Sequence, residues 1–261
     1  MIDKLEFLLA LSQERNFSKA AELCGVTQPT FSAGIKSLED MLGVMLVQRT
    51  SRFIGFTTEG ERVLDWARGI VADTRAMRQE VSSLRKGLSG RLRIAAIPTA
   101  LAMVSALTTP FRARHPNVKF TIVSRTSIEI LSMLENLEAD AGLTYIDNEP
   151  LGRLRAVPLY TEQNRRIIDQ LLNKAGGQAD PTLESNSMIV LFSHVRTGRW
   201  ASVMPQKLAD TLGLTEHLRS IPIVEPDASH SIGLVVPRRE PMTPLATALV
   251  AEATQLTATL A

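Results

Sequence analysis

Apolar positions in the first ninety residues recur almost everywhere at helical spacing. Leu5, Leu8 and Leu9 predict a first helix ending near Asn16. Ser18 then caps a second, one to two turns long, which turns Ala20, Ala21 and Leu23 inward and stops at Gly25, the residue best able to take the left-handed conformation after a helix end. Thr27 caps a third, because its hydroxyl can accept a backbone N–H. Pro29 is tolerated in the first turn of that helix, where no helical partner is lost. Phe31, Ile35 and Leu38 form its inward face, and Gln28 and Thr30 stay outside. The pattern then switches: "VMLVQRTSRFIGFTTEG" alternates apolar and polar residues over two short runs around Thr50-Ser51-Arg52, predicting a two-stranded hairpin with Arg49 and Arg52 at its tip. Thr58, with Glu61 three residues on as a capping box, opens a long helix to about Leu88. Its seam of Val63, Ala67, Ile70, Thr74, Met77, Val81, Leu84 and Leu88 alternates spacings of four and three, a heptad pattern that favours a partner helix, and so a twofold dimer, over packing on the protein's own body, which more often gives a wider stripe.

After the Gly-rich "KGLSG" the period changes again. "GRLRIAAIP", "VKFTIVS", "AGLTYI" and "LRAVPLY" read as strands, with a helix over "SIEILSMLENLEAD" (127–140). Later segments predict a helix from "NRRIID", short strands at about 182–186 and 219–224, a strand at 229–237 and a last helix over "PLATALVAEATQL". Strands alternating with helices make an α/β sheet, in which ligands sit beyond the carboxyl ends of the strands. Three such ends fall at Pro98-Thr99, Thr126-Ser127 and Thr144-Tyr145, and two of them open helices whose N–H groups suit a carboxylate or phosphate. Each of these hydroxyl residues is equally the kind that caps helices everywhere.

The two small helices joined by a tight turn form a helix-turn-helix, which projects the start of its second helix outward. Gln28 offers a donor and an acceptor in one plane, matching adenine N6 and N7 in the major groove, and a proline ring or threonine methyl packs on a thymine methyl. Solvated residues on a small helical domain would look the same; the hairpin beside them, with two arginines to reach phosphate or the minor groove, favours DNA. Bulk charge does not help. Residues 1–60 carry six basic side chains against seven acidic ones, so phosphate contacts have to come from a local cluster.

"SKAAELCGVTQPTFSAGIKSLEDMLGVMLVQR" followed by "FTTEGERVL" resembles the N-terminal winged helix-turn-helix of LysR-type transcriptional regulators, without a gap over about the first 65 residues. The resemblance implies three parts: a winged helix-turn-helix over 1–57, a linker and dimerisation helix over 58–90, and an α/β effector-binding domain over 91–261. That last domain would consist of two Rossmann-like subdomains hinged around a cleft, the first over 91–162 and 227–261 and the second, shortened, over 163–226. By resemblance Gln28, Pro29, Thr30, Ser32 and Lys36 belong to the DNA-reading helix and Arg49 and Arg52 to the wing. Thr99, Thr126, Ser127, Thr144 and Gly198 would serve the effector site, Gly198 through the stretch "HVRTGRWASVMP". The implied partners are double-stranded promoter DNA with an inverted repeat, a small effector, anionic by the strand-end argument and so an organic acid, a second copy of the chain in a dimer or tetramer, and RNA polymerase.

Two departures from the family pattern stand out. Where relatives often carry an arginine after the serine equivalent to Ser32, this chain has Ala33 and Gly34, and a glycine inside a helix costs roughly 1 kcal/mol relative to alanine. Relatives usually have several dozen residues between the strand ending in "PLYTE" and the helix beginning "NRRIID", whereas here Glu162 runs straight into Gln163. Either the segment has been lost, or this chain is the ordered part of a longer protein.

Other classes fit less well. With 261 residues, 44% hydrophobic and 21% charged, the chain falls in the soluble globular class, with room for a small domain and a larger one. Its longest apolar runs, such as "SMIVLF" and "SIGLVV", fall far short of the roughly 18 residues of a membrane span, and Asp3, Lys4 and Glu6 do not suit a signal peptide, so a cytoplasmic protein is expected. A single cysteine, Cys24, rules out an internal disulfide and reads as a structural thiol. No Gly-rich phosphate loop or "GxSxG" occurs, and His115, His194, His217 and His230 have neither metal-ligand spacing nor nearby cysteines, so neither an enzyme nor a cofactor is expected. A small-molecule binding protein without DNA activity is the alternative, and the winged segment argues against it.

Overall fold

The computed structural model describes residues 1–49, 53–147, 150–163, 176, 182–185, 187–204, 206–213, 218–221 and 229–260. The chain divides into two compact units, Met1–Ser82 with Glu135–Leu137, and Ser83–Leu134 with Glu138–Ala261. The first opens with helices α1 (Ile2–Glu14), α2 (Phe17–Leu23) and α3 (Gln28–Leu42), continues through the hairpin β1 (Val47–Arg49) and β2 (Phe53–Phe56), and enters the long α4 (Thr58–Lys86). Leu5, Leu8 and Leu11 of α1, Ala20 and Ala21 of α2, and Phe31, Ile35 and Leu38 of α3 close one core; Leu11 rather than Leu9 completes the α1 face, and Leu9 is only partly buried. Phe7 stacks on Phe31 with ring centroids 4.9 Å apart, and Phe17 meets the same ring edge-on.

Local details differ from expectation. Leu23 is exposed rather than inward, because α2 has only seven residues and its two alanines already fill the contact. Asn16, not Ser18, caps α2: its side chain accepts from Lys19 N, and an amide oxygen there serves the cap as well as a hydroxyl. At α4 the cap is Thr57, whose hydroxyl accepts Gly60 N at 2.9 Å, so Thr58 is the first helical residue rather than the capping one. The heptad seam of α4 also splits. Ala67 joins the first unit's core, beside Leu64 and Val71, which lie outside the predicted seam, whereas Ile70, Met77 at 58% and Leu84 at 81% of their surface remain exposed.

The second unit is a five-stranded sheet in the order β4-β3-β5-β7-β6, built from β3 (Gly90–Ala96), β4 (Val118–Ser124), β5 (Ala141–Tyr145), β6 (Leu154–Gln163) and β7 (Ser229–Pro237). β3 pairs in parallel with β4 and β5, whereas β7 lies antiparallel between β5 and β6. Parallel neighbours need a crossover, and α5 (Leu101–Arg114) and α6 (Ser127–Glu135) supply the two. Val104, Leu107 and Phe111 of α5, Ile130 and Leu134 of α6, and Leu245, Leu249 and Ala253 of the last helix pack on Leu92, Ile94, Leu143 and Leu234. At Gly142 a Cβ would come within 2.5 Å of Ile130 Cγ2, so the glycine sets how closely α6 lies on β5. In the last helix, the buried Glu252 is paired with Arg114.

The helix expected over 127–140 stops at Glu135, and Leu137 turns the chain with φ 61°. β6 is longer than expected and runs unbroken through the Glu162–Gln163 junction, with Gln163 paired to Ser229. Beyond it, the helix from "NRRIID" lies outside the described residues. The strands expected at 182–186 and 219–224 are not formed at 182–185 or 219–221, and the remaining positions lie outside the described residues. The later helices are α7 (Met188–Val195), α8 (Gln206–Leu212) and, after β7, α9 (Pro244–Leu260).

Candidate nucleic-acid interface and effector site

α3 begins where Thr27 caps it: the hydroxyl oxygen accepts Thr30 N at 3.4 Å and lies 2.9 Å from Thr30 Oγ1. Gln28, Pro29 and Thr30 form the first turn and are exposed, while Phe31, one residue on, is fully buried. The turn from Cys24 to Thr27 is made by Gly25 at φ 68°, which no side chain occupies without strain. Lys36 is exposed two turns along the helix, and Ser32 is half-buried. Of the residues named from the sequence, Gln28, Pro29 and Thr30 are therefore together on one exposed helix start, and Ser32 and Lys36 lie beyond it. Arg49 is the last residue of β1, opposite Phe53, and Arg52 lies outside the described residues.

Of the residues the sequence suggests for an effector, Thr99, Thr126, Ser127 and Thr144 fall at one end of the sheet. Ile97 N donates to Leu143 O and Arg125 N to Ala96 O, each at 3.0 Å, so the ends of β3, β4 and β5 lie side by side. Thr144 is fully buried and donates its hydroxyl to Ser127 Oγ at 2.8 Å, joining two of the predicted positions directly. Thr99 sits in the 3-10 turn Pro98–Ala100 that follows β3. Thr126 turns out to be a helix cap rather than a free donor pair. Its N–H and hydroxyl both donate to Glu129 Oε2, at 2.8 and 2.7 Å, and Glu129 N points back to the threonine oxygen at 3.4 Å. This reciprocal box holds the Glu129 carboxyl below its ordinary range, chiefly through the Thr126 backbone hydrogen bond. It also places a carboxylate of the protein's own at the helix start where an anionic ligand was expected. The first-turn N–H groups of Ser127 and Ile128 have no carbonyl within their helix to bond and are the donors that remain. Gly198 makes the turn after α7 at φ 74°, with its N–H spent on Val195 O at 2.9 Å. Sequence reasoning missed Glu129, although Thr-x-x-Glu ahead of an apolar run is a capping signal.

A winged helix-turn-helix followed by a long helix and an α/β domain with a polar strand-end site defines the class of a DNA-binding regulator with a ligand-responsive domain. Residues 2–61 match the family model of the bacterial regulatory helix-turn-helix protein, lysR family, and residues 85–164 and 160–258 match the LysR substrate binding domain. The chain belongs to the LysR family of bacterial transcriptional regulators. It is a DNA-binding regulator rather than an enzyme or a stand-alone binding protein. A hydrogen peroxide-inducible genes activator of Haemophilus influenzae is 26% identical over 270 aligned positions, covering 90% of this chain and 89% of the relative. A full-length OxyR variant from Pseudomonas aeruginosa superposes with a TM-score of 0.71 at 22% identity, over 98% of each chain. Full-length CbnR complexed with its target DNA superposes at 0.58 and 17% identity, over 98% of this chain and 99% of that one, and both structures share the fold.

The substrate-binding match breaks into two pieces that meet at residues 160–164, the place where the sequence predicts a missing segment.

Proposed function

We propose that this regulator reads an inverted-repeat promoter site as a dimer, with Gln28 contacting a base edge in each half-site and Arg49 and Arg52 holding phosphate or the minor groove. The observation that carries this is the exposed first turn of α3, with Gln28, Pro29 and Thr30 outward directly beside the buried Phe31. The exposed apolar residues Ile70, Met77, Val81 and Leu84 of α4 support pairing of two such helices, from which a dyad of recognition helices and an inverted repeat follow. Tetramers and a contact with RNA polymerase belong to the same reading, as does a cytoplasmic location; no helix among the described residues is long and apolar enough to cross a membrane.

The effector is a small organic acid held by Thr99, by the Ser127 hydroxyl, which the buried Thr144 orients, and by the first-turn amides of α6. The Haemophilus relative's name links it to hydrogen peroxide. Thiol chemistry in the effector domain is not open to this chain, because its one cysteine is Cys24 in the helical unit, where burial and then the nearby Glu6 push the thiol's pKa up. Reversible ligand binding is the mode that remains for residues 91–261.

Selection of bound duplexes from a random pool, followed by Gln28→Ala, tests the DNA reading. The substitution leaves the core untouched and is expected to cost about 1 to 3 kcal/mol at the selected site and to relax one base position per half-site. Equal losses on selected and random DNA would remove Gln28 from base readout.

A further inference from the structure

At the base of the hairpin lies a carboxyl group that none of the DNA-contact assignments includes. Glu39 lies in the last turn of α3, three residues after Lys36, and its side chain is buried, with 3% of its surface exposed. One carboxyl oxygen, Oε1, accepts the backbone N–H of Leu46 at 2.9 Å and of Val47 at 3.1 Å. These are the two amides at which the chain enters β1. The same short segment is held from its other side: Leu46 O accepts Thr57 N at 3.0 Å, and Met45 O accepts the Thr57 hydroxyl at 2.7 Å. α4 begins there too, with Gly60 so close that a Cβ would lie 2.1 Å from Leu46 O. Residues 45–47 are therefore clamped between the end of α3, through Glu39 Oε1, and the start of the long helix.

A charged side chain is rarely buried without a specific task, and two backbone donors converging on one of its atoms fix an orientation as well as satisfy it. We infer that Glu39 is a positioning residue for DNA binding: it sets the angle at which the hairpin leaves α3, so that the helix start and the hairpin engage one duplex together. This rests on the proposed role of the hairpin in holding DNA. Rotation at Leu46–Val47 would swing the end of β1 away from the backbone that the α3 start addresses, while the residues reading bases kept their own geometry.

The test uses the full-length protein and a random-sequence duplex, because hairpin contacts to phosphate are independent of sequence. Glu39→Asp shortens the side chain by one methylene and withdraws the acceptor from both amides; Glu39→Gln keeps its reach and one acceptor oxygen. Glu39→Asp is expected to weaken binding about tenfold, with a salt dependence shallower by roughly one ion, while Glu39→Gln stays within about twofold of the parent protein. In an Arg49→Ala, Arg52→Ala background the aspartate variant should cause no further loss, since there is then no hairpin contact left to misplace. Equal losses with and without the two arginines, or a Glu39→Asp protein unfolded by circular dichroism, would make Glu39 a stability residue only and overturn the inference. Unchanged binding by the double arginine variant would instead show that the hairpin does not hold DNA, and would remove the basis of the inference along with that reading. A weak double arginine variant beside an unaffected Glu39→Asp would refute the positioning role alone.

Discussion

Gly34→Ala sets two effects of comparable size against each other. Gly34 is in the interior of α3, and helix propensity alone favours alanine there by about 1 kcal/mol. The tertiary structure opposes the change: a Cβ on Gly34 would stand 2.6 and 2.7 Å from two ring carbons of Phe7, well inside contact distance. Phe7 has little room to yield, since its ring is stacked on the buried Phe31 at 4.9 Å. Moving it weakens an aromatic pair worth about 0.5 to 1.5 kcal/mol, and overpacking of a filled core costs about 1 to 3 kcal/mol in all. The cost exceeds the gain, and the helical unit is expected to lose about 1 kcal/mol on balance. Because two units unfold in one chain, the quantity should be measured locally, by native-state hydrogen exchange of the α1 and α3 amides, where a loss of that size speeds exchange about fivefold. Phe7→Leu alone should also destabilise, by about 1 kcal/mol through the lost ring contact. Combining it with Gly34→Ala should restore part of the loss, because the smaller side chain vacates the space that the methyl needs. Slower exchange in Gly34→Ala, or simple addition of the two single effects, would refute the steric account and leave propensity in charge.

Ile70→Asp with Met77→Asp places charge on the exposed half of the α4 seam and is expected to dissociate the dimer by light scattering; unchanged mass with DNA affinity retained would mean that the seam pairs with nothing. Glu129 has a folded pKa below its ordinary 4.5, so its capping box contributes stability above that value and loses it as pH falls through the lower folded one. The stability difference between the parent and Glu129→Gln should accordingly be full near neutral pH and shrink below about pH 4, and a difference independent of pH would show that the box does not depend on the charged carboxyl. A thermal-shift screen of organic acids should find at least one that raises Tm with concentration in the parent protein but not in a Ser127→Ala, Thr144→Val variant; silence across the screen would remove the anionic class.

Much of the helical unit was legible because its determinants are local. The spacing of Phe31, Ile35 and Leu38 and the cap at Thr27 come from residues within a few positions of one another, and together they force Gln28 and Thr30 outward whatever else the chain does. The five strands of the sheet were legible for the same reason, whereas those expected at 182–186 and 219–224 were not found at their described positions. Which stripe of α4 serves the unit's own core was not legible: apolar helical spacing looks the same for an internal and an external partner, and only the packing of Leu64, Ala67 and Val71 shows that the buried stripe shares Ala67 alone with the heptad seam. Gly34 read as a costly glycine until Phe7, far away in sequence, occupied the space of its missing methyl. Nothing in the sequence singled out Glu39, because it is held by two backbone amides, and an amide leaves no trace in the identity of the residue that carries it. The family, the order of most elements and the exposed reading turn came from residue order alone, since each is set by local pattern. Which polar groups are spent inside the fold, as Thr126, Glu129 and Glu39 are, was settled by the folded backbone, because a hydrogen-bond partner is chosen only once the chain has placed donor and acceptor together.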